Sequence, residues 1–225
     1  AKQYAEKSGI SLSEQLFLTG YSEGGYATLA THKEIEEFYS NELEVTASAP
    51  MAGPYDLSRL IEHIFQQNSY PSPTYIAFFM TAYSDIYKWD RLHDIFHSPY
   101  AQMMNGLFDG SKTYAEINSQ LPESINLLLK LDFVSDYLQG KETEVQTAIL
   151  ENTLLNWKSS APIRFFHGDL DKTVPIFNAT NAVTSLKASG GSDIELITIK
   201  GADHGTAGLP CIFGMIEFFN RLRVE

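Results

Sequence analysis

The stretch that decides the fold is LTGYSEGGYATLATHKE, from Leu18 to Glu34. It leaves an apolar strand, passes a serine between glycines and enters a helical pattern. Residues 20–24 fit the pattern G-x-S-x-G, in which the serine occupies a sharp strand-to-helix turn. Small residues two positions away are needed there, because larger ones would collide with neighbouring elements. Such a turn exposes the Ser22 hydroxyl and directs the backbone N–H of Glu23 towards a developing oxyanion.

A serine hydroxyl needs a general base, which is most often a histidine. Of the six histidines, His204 follows the last predicted strand in the glycine-flanked segment IKGADHGTAGLP. A loop there can hold an imidazole over the carboxyl ends of a parallel sheet, where ligands bind. His167 ends a strand and His32 lies on the helix after Ser22, so we interpret both as structural. His204 is therefore the candidate base.

An acid that orients this histidine is offered by the segment FFHGDLDKTVP. Asp169 and Asp171 both lie in the loop after the strand that ends at His167. A carboxylate in such a loop can fix the tautomer of the imidazole. The chain order serine, aspartate, histidine is the one that accompanies a G-x-S-x-G turn. The three loops together therefore predict a Ser-Asp-His triad.

Short apolar strands alternate with helices on both sides of a long insertion. The predicted strands are Glu14–Gly20, Leu43–Pro50, Pro162–Gly168 and Asp193–Gly201. The last three are apolar enough to be buried on both faces, as parallel strands are. The alternation predicts an α/β fold with a mostly parallel sheet flanked by helices. Residues 56–157 are helical by pattern and too long for a simple connection, so we predict a core at 1–55 and 158–225 and a helical cap at 56–157.

Aromatic residues recur at helical spacing within the predicted cap, at Tyr75, Phe79, Tyr83 and Tyr87. The simpler interpretation is an aromatic stripe packed in the core of the cap. The alternative is that some of these rings, Tyr75 and Phe79 among them, contact substrate. Tyr21, next to the candidate nucleophile, is a third candidate for substrate contact.

The segments GYSEGG, HGDLDKTVP and GADHG together resemble those of the α/β-hydrolase superfamily. The chain is similar to its secretory lipases and esterases with a helical cap, and the resemblance covers most of the chain outside the cap. It implies Ser22 as nucleophile and His204 as base. In relatives with the loop H-G-x-x-D-x-x-V-P, the acid is the aspartate four residues before the proline. That residue is Asp171 here, and Asp169 is then expected to bind loop backbone.

The same resemblance implies an activity: hydrolysis of a small-molecule acyl ester by an esterase or lipase, through an acyl-enzyme. It implies no metal and no organic cofactor. The compartment is not fixed by the residues, and only the resemblance suggests a secreted or periplasmic protein. The motifs are specific for the superfamily and leave the acyl chain and the alcohol open.

The chain departs from the family pattern before the serine turn. The family places several strands there, with the loop that donates the second oxyanion N–H, whereas only a predicted helix at Ala1–Gly9 precedes the turn here. A strand without a neighbour on one side would leave an open apolar edge. We therefore expect a carboxyl-terminal portion of the fold, whose partner is the N-terminal part as a second chain or a further segment.

Composition excludes some classes of partner. Sixteen basic and 28 acidic residues give a net charge of −12, which argues against nucleic acid and anionic membranes. No apolar run reaches the roughly 18 residues of a transmembrane helix. Cys211 is the only cysteine, so no disulfide can form within the chain.

Three alternatives compete with the esterase. His93 and His97 have the i, i+4 spacing of a zinc helix; however, Asp94 replaces the expected glutamate and no third ligand is evident. We therefore predict no metal. A prolyl-oligopeptidase-type peptidase shares the serine turn and triad, but a mid-chain cap without propeller-like repeats favours an esterase. A non-catalytic binding module on a hydrolase scaffold is the third.

Overall fold

A computed structural model of the protein describes residues 2–224. The chain divides into two compact units. The core unit comprises Ala1–Tyr55, Leu154–Asp171 and Ala179–Glu225, and the helical unit comprises Asp56–Thr153 and Lys172–Asn178. Trp157, the last residue of the predicted cap, belongs to the hydrophobic core of the core unit.

Within residues 2–224, the core unit forms a four-stranded parallel sheet in the order β1-β2-β3-β4. Its strands are β1 (Phe17–Tyr21), β2 (Ala47–Met51), β3 (Ile163–Gly168) and β4 (Ile194–Ile199). Its helices are α1 (Lys2–Lys7), α2 (Glu23–Phe38), α11 (Phe177–Ala188), which lies in this unit from Ala179 onward, and α12 (Gly208–Leu222). The predicted α/β fold class is therefore confirmed.

Burial differs between the inner and outer strands of this sheet. All five residues of β2 are buried, and β3 is buried except for Arg164, which is half-buried. β1 has no fully buried residue, and β4 buries only Ile194. The prediction that the later strands are buried on both faces is therefore wrong for β4, because an outer strand has a neighbour on one side only.

Consecutive residues of a strand point to opposite faces of the sheet, and the core follows this rule. Phe165 of β3 packs with Leu29 of α2 and Leu186 of α11. Its neighbour Phe166 packs in a separate cluster, with Phe218 of α12. The alternate residues Ala47, Ala49 and Met51 of β2 also belong to that second cluster. The helices thus form layers on both faces of the sheet.

The last helix begins earlier than the sequence pattern predicts. The amphipathic pattern of residues 212–223 predicts a start at Ile212, whereas α12 begins at Gly208 and contains Pro210. Proline is tolerated in the first turn, because the N–H that it lacks has no acceptor within the helix there. A proline in this segment therefore does not mark the end of the preceding loop.

The helical unit consists of helices joined by short connections. They are α3 (Leu57–Phe65), α4 (Pro73–Ile86), α5 (Leu92–Ile95), α6 (Tyr100–Leu107), α7 (Tyr114–Asn118), α8 (Ile125–Leu128), α9 (Leu131–Leu138) and α10 (Thr143–Glu151). Local signals set several of their starts. The Asp56 side chain caps α3 by accepting the N–H of Arg59, and Thr113 and Glu116 form a capping box at α7.

Two expectations about this unit need correction. Tyr75 is exposed, and Phe79, Tyr83 and Tyr87 are half-buried, so the aromatic stripe is not packed in a core. The zinc alternative requires His93 and His97 on one helix. However, α5 ends at Ile95 and the next residue is extended, so His97 lies outside the helix that holds His93.

Within residues 2–224, no helix is both long and apolar enough to cross a bilayer.

Candidate active site

Ser22 occupies a strained turn between β1 and α2. Its φ of 58° and ψ of −120° lie in a region that non-glycine residues rarely adopt. The turn is held by a 2.8 Å hydrogen bond from the Ser22 N–H to the carbonyl of Met51 on β2. The serine thus stands where the sheet ends and the helix begins.

The glycines around Ser22 have different roles. A Cβ on Gly20 would collide with the backbone carbonyl of Gly24, and one on Gly25 would collide with the carbonyl of Met51. A Cβ on Gly24 would meet nothing within 4 Å. The requirement for a small residue after the serine therefore falls on Gly25, where α2 crosses β2, and not on Gly24 as the pattern predicts.

The structure brings Ser22, His204 and Asp171 together within the core unit. The Ser22 Oγ lies 2.9 Å from Nε2 of His204, and the Nδ1 of His204 lies 2.6 Å from Oδ2 of Asp171. The His204 side chain is 18% exposed and that of Asp171 is fully buried. A hydroxyl, an imidazole and a buried carboxylate therefore form one continuous hydrogen-bonded chain that ends near solvent.

The loop that carries His204 is fixed by its neighbours. The hydroxyl of Tyr21 donates a 2.6 Å hydrogen bond to the His204 carbonyl, and the two rings lie 5.4 Å apart. Asp203 accepts the backbone N–H groups of Gly205 and Thr206, at 3.0 and 2.8 Å. These contacts restrain the backbone that carries the imidazole. Tyr21, predicted to contact substrate, therefore has a structural contact with the base loop.

Asp169 joins the loop after β3 to the loop after β4. Its Oδ1 accepts the backbone N–H of Gly201 at 2.7 Å, and its Oδ2 lies 3.5 Å from Nζ of Lys200. Close packing supports the same junction, because a Cβ on Gly168 would collide with the carbonyl of Ala202. The expectation that Asp169 binds loop backbone is confirmed.

His167, which the sequence predicts to be structural, lies beside the candidate acid. Its Nε2 is 3.4 Å from Oδ2 of Asp171, and both side chains are fully buried. The same carboxylate oxygen therefore faces two imidazoles, those of His204 and His167. The spacing of four residues between His167 and Asp171, across a strand end, is the only sequence signal for this contact.

The buried charge of Asp171 acts on nearby acids. Burial, and then the negative charge of Asp171, raise the pKa of the Cys211 thiol to about 12. Burial likewise raises the pKa of the Tyr21 phenol far above its ordinary value of 10.0, and the charges of Cys211, Asp171 and Asp203 add to this rise. Both groups therefore remain protonated near neutral pH.

An oxyanion donor is offered by the start of α2. Glu23 is the first residue of that helix, so its N–H has no acceptor within the helix. The Ser22 N–H is already bonded to Met51 and is unavailable. The partial positive charge at a helix amino terminus favours an anion near the Glu23 N–H.

The remaining candidates lie in the helical unit. The Tyr75 ring contacts that of Tyr114 at 5.2 Å, and Phe79 stacks on Tyr83 at 4.0 Å. Their contact with substrate stays a prediction. Among the side chains that the structure describes, no group of three or more His, Cys, Asp or Glu could hold a metal ion.

No protein-family model and no curated protein sequence matches this chain. Its structure is similar to that of the rice cell wall degrading esterase LipA from Xanthomonas oryzae, with a TM-score of 0.87, 23% identity and coverage of 99% of this chain and 62% of that one. For a Legionella pneumophila protein, the TM-score is 0.90, the identity 25% and the coverages 98% and 60%. For Candida antarctica lipase A, the TM-score is 0.70 and the identity 16%, and the match covers 99% of this chain and 52% of that one.

The fold is α/β-hydrolase-like. The resemblance found in the serine and histidine loops therefore holds for the three-dimensional structure. The chain spans about 60% of the length of the first structures that it matches. The α/β-hydrolase-like fold places the serine turn at the carboxyl end of a strand, where ligands of parallel sheets bind.

Proposed function

We propose that the protein is a serine carboxylic-ester hydrolase in which Ser22, His204 and Asp171 act as the catalytic triad. The observation that carries the proposal is the 2.9 Å contact between the Ser22 Oγ, on a strained turn, and the Nε2 of His204. Backbone strain at a non-glycine residue persists where the surrounding structure enforces it, often at a catalytic site. The esterase LipA and lipase A, which share the fold, make an ester the favoured substrate class.

The geometry supports acylation followed by hydrolysis. The Ser22 Oγ attacks the acyl carbon while Nε2 of His204 takes the hydroxyl proton, and the Glu23 N–H stabilises the oxyanion. The imidazolium then gives its proton to the departing alcohol, which leaves an acyl-enzyme. A water molecule attacks that acyl carbon, with its proton passing to Nε2, and collapse of the second intermediate restores Ser22. Asp171 holds the His204 Nδ1–H throughout.

We further propose that the outer edge of β1 pairs with a strand of additional polypeptide of the same fold, which supplies the second oxyanion donor. Support comes from β1 itself, which pairs with β2 alone among the described residues and has no fully buried residue. An open strand edge favours pairing or aggregation.

Losing one oxyanion donor lowers kcat by roughly 10²–10³. Residues 1–225 expressed alone should therefore aggregate or hydrolyse esters weakly, and a soluble, fully active monomer would refute this pairing.

Chemical labelling tests the ester hydrolase. The whole protein is incubated with a serine-directed phosphonate, digested and analysed by mass spectrometry, and hydrolysis of p-nitrophenyl esters of increasing acyl length is measured in parallel. We expect a single adduct on Ser22 and loss of hydrolysis in proportion to labelling. An adduct on another serine, or hydrolysis that survives full labelling, would exclude Ser22. Faster cleavage of a p-nitroanilide peptide than of any ester would favour the peptidase.

A further inference from the structure

One tyrosine joins the strand of the nucleophile to the loop of the base. Tyr21 is the last residue of β1, where it pairs with Met51 of β2, and it directly precedes Ser22. Its hydroxyl donates a 2.6 Å hydrogen bond to the backbone carbonyl of His204, which lies 183 residues away in the sequence. A single side chain therefore restrains the distance between two backbones, the one that carries the Ser22 hydroxyl and the one that carries the imidazole.

The Tyr21 side chain is itself held in place. Its ring packs against the hydrophobic cluster that includes Ala202 and Ala207, which lie on either side of His204 in the sequence. The ring also lies 5.4 Å from that of His204. Burial raises the pKa of the phenol far above its ordinary value, so the hydroxyl stays protonated and able to donate near neutral pH. A hydrogen bond from a packed ring is a firm restraint on its acceptor.

The base loop, residues 200–207, is joined to the acid loop by other hydrogen bonds. Asp169 accepts the N–H of Gly201 at 2.7 Å, and the N–H of Leu170 donates to the carbonyl of Ala202 at 3.0 Å. Both bonds connect the beginning of the base loop to the loop that carries the candidate acid. Loss of the tyrosine hydroxyl leaves both in place. The distance from base to acid is therefore restrained separately from the distance between base and nucleophile.

We propose that Tyr21 is a positioning residue that holds Nε2 of His204 at hydrogen-bond distance from the Ser22 Oγ. The inference rests on the proposed hydrolase function and adds to it a residue outside the triad. The proton of the serine hydroxyl passes across this 2.9 Å contact when the acyl-enzyme forms. A misplacement of about 1 Å at a reacting group can cost about 10²-fold in rate. Because the base loop keeps its bonds to the acid loop, we expect a smaller loss, about tenfold.

A positioning role and a substrate contact of Tyr21 lead to different kinetics. A side chain that binds substrate equally in the ground and transition states contributes to KM, and its loss raises KM at unchanged kcat. A side chain that only aligns the base contributes to the chemical step, and its loss lowers kcat. His204 acts in acylation and in deacylation, so both steps slow and KM is unchanged. The Tyr21 hydroxyl is bonded to the His204 carbonyl, which favours the positioning role.

The variant Tyr21→Phe tests the proposal, because it removes the hydroxyl and keeps the ring. In the whole protein, kcat and KM are measured for p-nitrophenyl esters of several acyl lengths, and the rate at which a phosphonate labels Ser22 is followed by mass spectrometry. We expect kcat and the labelling rate to fall together about tenfold, with KM unchanged at every acyl length. Tyr137→Phe on α9, which removes the hydroxyl of another buried tyrosine, is the matched control and should leave all three values near wild type.

A proton signal separates alignment from general loosening of the loop. The Nδ1 proton of His204 lies in a short hydrogen bond of 2.6 Å with Asp171, and such a proton gives a far-downfield NMR signal. We expect this signal to persist in Tyr21→Phe, because the bonds between the base loop and the acid loop remain. Asp171→Asn should abolish it and serves as the negative control.

The possible outcomes distinguish this proposal from the hydrolase function. A kcat of Tyr21→Phe within twofold of wild type, or a rise in KM alone, would overturn the positioning role and leave the hydrolase intact. Loss of the downfield signal in Tyr21→Phe would also overturn it, since the substitution would then have loosened the whole base loop. A wild-type protein that neither hydrolyses the esters nor reacts with the phosphonate would overturn the hydrolase and the role of Tyr21 together.

Discussion

The core unit contains two hydrogen-bonded sets of serine, histidine and acid, and they differ in almost everything except residue type. One consists of Ser22, His204 and Asp171. In the other, Nδ1 of His32 lies 2.8 Å from Oγ of Ser48, and Nε2 of His32 lies 2.9 Å from Oε1 of Glu36. Distances alone would rank them equally.

The surroundings separate the two sets. Ser22 stands on a strained turn beside a helix amino terminus, whereas Ser48 is fully buried within β2 and His32 is fully buried beneath it. Glu36 already accepts the backbone N–H groups of Ser160 and Ala161, at 2.8 and 3.0 Å. The second set thus ties α2 to β2 and to the segment before β3. Access and a nearby oxyanion donor, and not residue type, distinguish a candidate active site from a structural network.

The largest expected difference between the two sets is the effect on kcat of replacing the serine of each. Ser22→Ala should lower kcat for a p-nitrophenyl ester by several orders of magnitude, because the nucleophile is lost and only binding and oxyanion stabilisation remain. Ser48→Ala should leave kcat within a few-fold of wild type and lower the free energy of unfolding by about 1 kcal/mol. Steady-state kinetics and urea unfolding measure the two effects. A Ser22→Ala variant that retains a tenth of the activity would remove the basis of the contrast.

The two aspartates of the loop after β3 form the next pair. Asp171→Asn should lower kcat by roughly 10³–10⁴, because an amide favours the wrong imidazole tautomer of His204. Asp169→Asn should act mainly on stability, since its carboxylate holds the Gly201 N–H and not the imidazole. Kinetics and thermal unfolding of both variants are compared. The opposite ranking in kcat would assign the orienting role to Asp169.

The serine turn, the parallel strands and the acid and histidine loops could be predicted because they depend on local patterns with strong steric causes. Gly20 is one example, since a side chain there collides with the next turn. The need for Gly25 could not be predicted, because it arises from β2, which is distant in sequence from the turn. The contact of His167 with Asp171 depends equally on three-dimensional packing. The exposure of β4 depends on its outer position in the sheet, which the apolar pattern of Asp193–Gly201 does not reveal.

Two buried histidines give a smaller test of the same comparison. His167→Phe should lower kcat about tenfold with KM unchanged, because His167 faces Oδ2 of Asp171 and its loss removes one interaction worth about 1–2 kcal/mol at the carboxylate. His32→Phe should lower the free energy of unfolding and leave kcat nearly unchanged. Equal kcat losses for the two variants would show that His167 acts through general stability and not through Asp171. His167→Gln, which retains an N–H donor, should recover part of kcat.

The smallest expected effect concerns Glu36 and its dependence on pH. Burial opposes ionisation of Glu36; however, the hydrogen bonds with His32, Ser160 and Ala161 outweigh it and lower the pKa below 4.5. A carboxylate whose pKa is lower in the folded state stabilises the fold above the ordinary value, and this contribution is lost as the pH falls from there through the lowered value. Glu36→Gln should therefore reduce the free energy of unfolding by about 2 kcal/mol at neutral pH, and the difference from wild type should shrink in acid. Urea unfolding at neutral and at acidic pH measures this difference in the free energy of unfolding.

Glu37→Gln is the matched control. The Glu37 side chain is 39% exposed and pairs with Lys33 at 4.0 Å, so this substitution should change the free energy of unfolding by less than about 0.5 kcal/mol. If the difference in unfolding free energy between Glu36→Gln and wild type grew in acid, the Glu36 carboxyl would be protonated in the folded protein. An ionised Glu36 would then not hold the set of His32, Ser48 and Glu36 together.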